Sequence, residues 1–177
     1  MECGRGLRIL RQDPWEMLIC FIISQRKSIP AIRTAVENLC TRFGAPLAEG
    51  GFAFPTAQAL AAASDEALSG CGLGYRTKYV RDAAERVCDG RLDLAALAGR
   101  PTPEVQEALM AVFGVGIKVA QCVLLFGYHR LEAMPVDVWM DRVIQLEYKG
   151  KFPPSYKKCA GVLQQYLFCY ARQQKLH

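Results

Sequence analysis

Apolar residues recur every three to four positions along most of the chain, and the stretches with that spacing begin and end at helix punctuation. Asp13-Pro14-Trp15-Glu16 is one such start, in which Asp caps, Pro fits the first turn and Glu reaches back. Trp15, Leu18, Ile19, Ile22 and Ile23 then form an apolar stripe. A second helix is predicted from near Pro30, with Ile32, Val36, Leu39 and Phe43 on one face and Gly44 as its stop. Thr56 and Ser64 are placed to cap two short helices that end at "SGCGLG". A longer amphipathic helix is predicted over Tyr75 to Cys88, closed by Gly90. Thr102-Pro103-Glu104 opens the next, with Val105, Leu109 and Val112 on one face. Helices over Lys118 to Phe126, from Asp137 onward, and over roughly Tyr156 to Gln173 complete the set. No stretch alternates as a strand would. The fold class is all-α, about ten helices at the usual mean length.

At 177 residues the chain is read as one domain, 1–177, large enough for its own core. Half of it is hydrophobic and 22% is charged, an ordinary globular composition. No apolar stretch reaches membrane-spanning length, so no membrane partner is expected. The net charge of +5 suits a nucleic-acid surface without demanding one. Eight cysteines, none in C-x-x-C spacing, and two histidines, one of them terminal, argue against a metal or iron–sulfur site. Free thiols are the simplest reading.

The chemistry gathers in one segment. "FGVGIKVAQC", Phe113 to Cys122, joins two predicted helices through Gly114-Val115-Gly116, so a hairpin of helices spans about 103–127. Glycine permits left-handed backbone, which lets successive N–H groups point the same way. The helix dipole that follows adds positive potential, making a small anion site suited to a DNA phosphate. The plain alternative is a connector between two helices. Lys118 stands at the mouth of the second helix. Its stem is expected to lie partly buried against Val115, Val119 and Val123, an arrangement that favours the neutral, nucleophilic amine. Snorkelling to solvent, or gripping phosphate, is the competing role. Asp137 follows a loop at about 133–137. It is placed as an N-cap, and also as a carboxylate able to stabilise positive charge at an anomeric carbon.

The stretch "LMAVFGVGIKVAQCVLLFGYHRLEAMPVDVWMDRVI" resembles the helix–hairpin–helix, Gly/Pro-rich loop and catalytic Asp of base-excision DNA glycosylases, the HhH-GPD superfamily. Within it the chain is most similar to the 8-oxoguanine DNA glycosylase/AP lyases, with further counterparts at "GLRILRQDPWEMLICFIIS", "FPTAQAL", "CGLGYRTKYV" and "GVLQQYLF". The resemblance implies two helical lobes flanking a cleft. It also implies a bifunctional enzyme that flips a damaged purine out of double-stranded DNA and excises it. Lys118 would attack C1′ and form a Schiff base, Asp137 would stabilise the oxocarbenium-like transition state, and β-elimination would nick the strand. Cys122 and Phe168 would sandwich the flipped base and Gln164 would read its edge. Tyr75 would fill the gap and Arg76 would read the opposite cytosine. Without the resemblance, Cys122 and Phe168 are core positions, Gln164 a solvated one, and "GYR" a helix start with a surface arginine.

The chain departs from that pattern in places. Arg26 and Lys27, in "SQRKS", stand where asparagines are expected, and serve as a phosphate clamp, a gap filler or a solvated pair. Ala31 replaces a second arginine that reads the opposite base. Trp139 replaces a phosphate-contacting histidine, its indole N–H still able to donate to phosphate. Phe113 replaces a proline. The usual N-terminal β domain ahead of "LRILRQDP" is expected to be lacking. No cofactor is expected, beyond a monovalent cation at the hairpin turn. A monomer is expected, in the nucleoid of a bacterium or the nucleus of a eukaryote. Two alternatives stay open: a glycosylase for alkylated purines of the 3-methyladenine type, and a non-catalytic helix–hairpin–helix DNA-binding module.

Overall fold

In a computed structural model the chain is described over residues 6–152 and 154–173; residues 1–5, 153 and 174–177 of the expected 1–177 domain lie outside that range. The described residues form ten α-helices and no strand, apart from one isolated bridge between Pro46 and Phe52. The helices are α1 (Pro14–Ser24), α2 (Ile29–Phe43), α3 (Ala57–Ala62), α4 (Asp65–Leu68) and α5 (Thr77–Cys88). They continue with α6 (Leu94–Leu97), α7 (Thr102–Met110), α8 (Ile117–Phe126), α9 (Val138–Tyr148) and α10 (Ala160–Gln173).

Caps set most of the boundaries. Asp13 accepts the Glu16 N–H at 2.9 Å, Thr56 that of Ala59 at 3.2 Å, Ser64 that of Ala67 at 3.1 Å and Asp137 that of Met140 at 2.8 Å. Each bond satisfies a donor that a helix start leaves orphaned, worth about 1 kcal/mol. Three differences from the sequence reading have local causes. Helix α6, capped by Asp93, is one turn long and too short to show a periodic stripe. Pro154–Cys159 winds as a 3-10 helix, so α10 begins at Ala160, past the expected Tyr156. Gly44 ends α2 in ordinary extended backbone; a Cβ there would lie 1.9 Å from the Ala53 carbonyl oxygen, so close approach selects glycine.

Two apolar clusters result. The large one gathers Leu18, Ile19, Ile22 and Ile23 of α1 with Leu39, Leu60, Leu68, Val80, Leu109, Leu124 and Leu125. Each such side chain contributes about 1.5–3 kcal/mol on burial. Helix α1 packs along α8, with Phe21 and Phe126 stacked at 5.6 Å. The small cluster joins Met140, Val143 and Ile144 of α9 to Leu167 and Ala171 of α10. Helix α8 therefore belongs to one lobe and α9 to the other, and the loop at 127–137 crosses between them.

Candidate active site

The hairpin is α7, a turn at 111–116 and α8. Of its two glycines only Gly114 is left-handed (φ 81°), and a Cβ there would fall 2.5 Å from the Tyr79 ring. Gly116 is the extended N-cap of α8 (φ −97°, ψ 178°). It carries no side chain to close the first turn, so the opening N–H groups of α8 meet whatever approaches, with the helix dipole behind them. Val115 between them is buried and anchors the turn. The turn is braced from outside. Asp82 accepts the Phe113 N–H at 2.7 Å while pairing with Arg86 at 2.7 Å, and Gln25 Nε2 donates to the Gly114 carbonyl at 3.2 Å. Within the turn the Val112 carbonyl accepts the Val115 N–H at 3.0 Å.

Lys118 and Asp137 line one cavity of about 640 Å³, together with Ser24, Gln25, Arg26, Val136, Val138 and Asp141. Lys118 sits in the first turn of α8 and is exposed. The burial expected of it against Val115, Val119 and Val123 is not found. Those valines face the core, whereas the start of the helix turns Lys118 toward the cavity, its ammonium 5.8 Å from the Phe21 ring centre. Asp137 is half-buried and spends Oδ1 on the Met140 cap. Gln121, one turn beyond Lys118, accepts the Met134 N–H at 2.8 Å and ties the loop that carries Asp137 to the helix that carries Lys118. Cys122 lies beneath Lys118, is 3% exposed and does not line the cavity. Burial pushes its thiol up to about 11, against the pull of the Lys118 charge, so it is a neutral thiol at pH 7.

The other expected site residues are scattered around this cavity. Arg26 is on its rim, exposed and left-handed (φ 50°). Lys27 turns away and donates to the Gly72 carbonyl at 2.6 Å. Tyr75 is 49% exposed. Arg76, expected at the DNA surface, is 6% exposed. Its guanidinium donates to the Leu73 carbonyl at 3.2 Å and to the Gln25 carbonyl, and lies 4.3 Å from the Tyr75 ring centre. As placed it braces the α1–α2 turn against the segment before α5. Trp139 is partly exposed under the Arg142 guanidinium. Gln164 is 5% exposed, its Oε1 accepting from Gln165 at 2.6 Å, and Phe168 packs on the small cluster; neither lines the cavity. Sequence reasoning missed Gln25, Gln121 and Asp141. Of these only Asp141, one turn after Asp137, left a signal that spacing alone could have found.

An amine and a carboxylate on one cavity, beside a hairpin turn whose helix start carries no side-chain cap, define a helical hairpin protein with a candidate active site. More narrowly, the chain belongs to the HhH-GPD superfamily of base excision DNA repair proteins, whose profile matches residues 19–166. It is 36% identical over 161 residues to the N-glycosylase/DNA lyase of Saccharomyces cerevisiae, covering 82% of this chain and 43% of that one. A probable N-glycosylase/DNA lyase of Methanothermobacter thermautotrophicus is 28% identical over 209 residues, covering 99% and 67%. The 8-oxoguanine glycosylase/lyase of Clostridium acetobutylicum, solved with double-stranded DNA containing cytosine opposite 8-oxoG, superposes with a TM-score of 0.89 at 34% identity. That match covers 97% of this chain and 64% of that one. A 3-methyladenine DNA glycosylase from Archaeoglobus fulgidus shares the fold at 23% identity and a TM-score of 0.75. The chain thus spans less than half of the yeast relative and under two thirds of the clostridial one.

Proposed function

We propose that this chain carries the catalytic helices of a bifunctional DNA N-glycosylase/AP lyase that extrudes and excises 8-oxoguanine from duplex DNA. The observation that carries the reading is the meeting of Lys118 and Asp137 on one cavity beside the hairpin turn. That cavity, about 640 Å³, is in the range of sites that take a small molecule such as one nucleoside. The hairpin holds backbone phosphate through N–H groups, which fixes register without reading sequence. The Lys118 amine attacks C1′ as the glycosidic bond breaks, and the base departs with the bonding pair and takes up a proton. Asp137 stabilises the positive charge that builds on the sugar. Ring opening then gives a Schiff base between Nζ and C1′. Loss of a C2′ proton expels the 3′ phosphate and cuts the strand. Cys122 supports the base from below as an uncharged thiol. Gln164 and Phe168 reach the base only if α10 or the base shifts toward the other. Tyr75 fills the vacated position, Arg26 and Trp139 take backbone phosphates, and Lys27 and Arg76 hold the turn. No cofactor enters these steps, and a cation at the hairpin stands outside them. The enzyme acts as a monomer wherever its DNA is, nucleoid or nucleus. Among the described residues no helix is long and apolar enough to cross a membrane.

The test is borohydride trapping on duplexes with 8-oxoguanine opposite each of the four bases. The expected result is a covalent adduct that disappears in Lys118→Gln. Excision of alkylated purines with no oxoguanine adduct would favour the alkyl-purine reading. DNA binding without any adduct, on lesion or abasic duplex, would favour the non-catalytic module.

A further inference from the structure

An aromatic ladder joins the cavity rim to the hairpin, and the proposed chemistry leaves most of it unused. It starts at Gln25, which lines the cavity and whose carbonyl accepts from Arg76. The Arg76 guanidinium lies on the Tyr75 ring. Tyr75 meets Tyr79 edge-on at 5.8 Å and 77°, and Tyr79 meets Phe113 edge-on at 5.0 Å and 87°. Gly114 presses against the far side of Tyr79, since even a methyl group there would collide with the ring. The inner ring, Tyr79, is half-buried, while Phe113 is 52% exposed. Lys78 is exposed beside the ladder, its ammonium 5.3 Å from the Phe113 ring centre and 5.8 Å from that of Tyr79. Asp82 accepts the Phe113 backbone N–H, which holds this end of the turn.

A solvent-facing phenylalanine standing alone is ordinary in a free protein. Next to an ammonium, and beside a turn that presents N–H groups to phosphate, it matches the chemistry of nucleic acid, where aromatic faces take bases and cations take the backbone. We propose that Phe113 and Lys78 extend the DNA contact surface beyond the hairpin. Phe113 packs on the bases and sugars beside the vacated position and Lys78 takes an adjoining phosphate, with Tyr79 as the rigid backing that couples both to Tyr75. The inference rests on the DNA-binding part of the function proposed above and adds two residues to it.

The experiment measures binding of the chain to two duplexes by fluorescence anisotropy across a salt series, one with a stable abasic-site analogue and one intact. Phe113→Leu keeps apolar packing on Tyr79 and removes the aromatic ring, Phe113→Tyr keeps the ring, and Lys78→Ala removes the charge. Phe113→Leu is expected to weaken binding to the abasic duplex by about tenfold. It should weaken intact duplex less, and leave the slope of log affinity against log salt unchanged. Phe113→Tyr should bind as the parent does. Lys78→Ala should weaken both duplexes and flatten the salt slope by about 0.9. Melting curves confirm that each variant is folded. Parental affinity in folded Phe113→Leu, or a parental salt slope in Lys78→Ala, overturns the proposal while the DNA reading stands. If the parent chain binds neither duplex, the DNA reading itself falls and this inference with it.

Discussion

Replacing Gly114 by alanine isolates the one backbone position that the hairpin cannot yield. At φ 81° an L-residue pays the left-handed cost, about 1–2 kcal/mol. The new methyl would also stand 2.5 Å from Cδ2 and Cγ of Tyr79 and 2.6 Å from Cδ1. That ring cannot slide aside cheaply, because Phe113 and Tyr75 hold it edge-on from two directions. Overpacking of this kind adds about 1–3 kcal/mol. Restricting the unfolded chain returns about 0.4–1 kcal/mol. The net loss is about 1.5–4 kcal/mol, or roughly 3–16 °C of melting temperature for a chain of this size. Gly116→Ala is the internal control. Its backbone is extended and nothing lies within 4 Å of a Cβ placed there, so the melting temperature should move by less than about 2 °C. DNA affinity should fall in both variants, in Gly116→Ala because a methyl now overhangs the open N–H groups of α8. Thermal melting by circular dichroism, paired with anisotropy on duplex DNA, reads both quantities. Equal melting shifts in the two variants, or a Gly114→Ala protein as stable as the parent, would refute the reasoning.

Asp137→Asn preserves a good N-cap and removes the charge, so melting should stay within about 2 °C while base excision slows by at least about a hundredfold; single-turnover kinetics decide, and parental rates would take Asp137 out of the mechanism. Arg26→Gly relieves about 1–2 kcal/mol of left-handed strain against about 0.5–1 kcal/mol of added chain entropy. It should therefore melt at or slightly above the parent temperature yet bind DNA more weakly with a shallower salt slope; unchanged binding would leave Arg26 a merely strained turn residue. Burial raises the thiols of Cys20 and Cys122 from their ordinary 9.0 to about 12 and about 11, while the unfolded chain ionises them first. Their contribution is therefore whole below about pH 9 and lost as pH rises through 11 to 12. A melting series from pH 7 to 11 should be level and then fall, and should fall less in Cys20→Ala; a level curve throughout contradicts the assignment.

The helices were legible where side chains announce them. The Asp13, Thr56, Ser64 and Asp137 caps all bond as their spacing implied, and the α1 stripe is the center of the large core. The hairpin was legible because glycine at a turn has few other uses. What sequence could not supply was direction. Lys118 points to the cavity and not along the valines, because its place in the first turn outweighs the apolar character of its neighbours. Arg76 reads as a surface cation and is buried, since two backbone carbonyls happen to converge on it from turns 51 and 3 residues away. Gln25 and Gln121 act through contacts 89 and 13 residues distant, and local pattern carries no trace of such partners.

The amine stands on a helix that packs in the large apolar cluster and the carboxylate caps a helix of the small one, the two joined by a loop pinned at Gln121. Among the described residues the smaller cluster buries fewer side chains than the larger, and it should yield to heat or urea first. Warming ought then to silence turnover while most helical signal survives, so that the temperature at which cutting stops measures the weaker half and not the whole molecule.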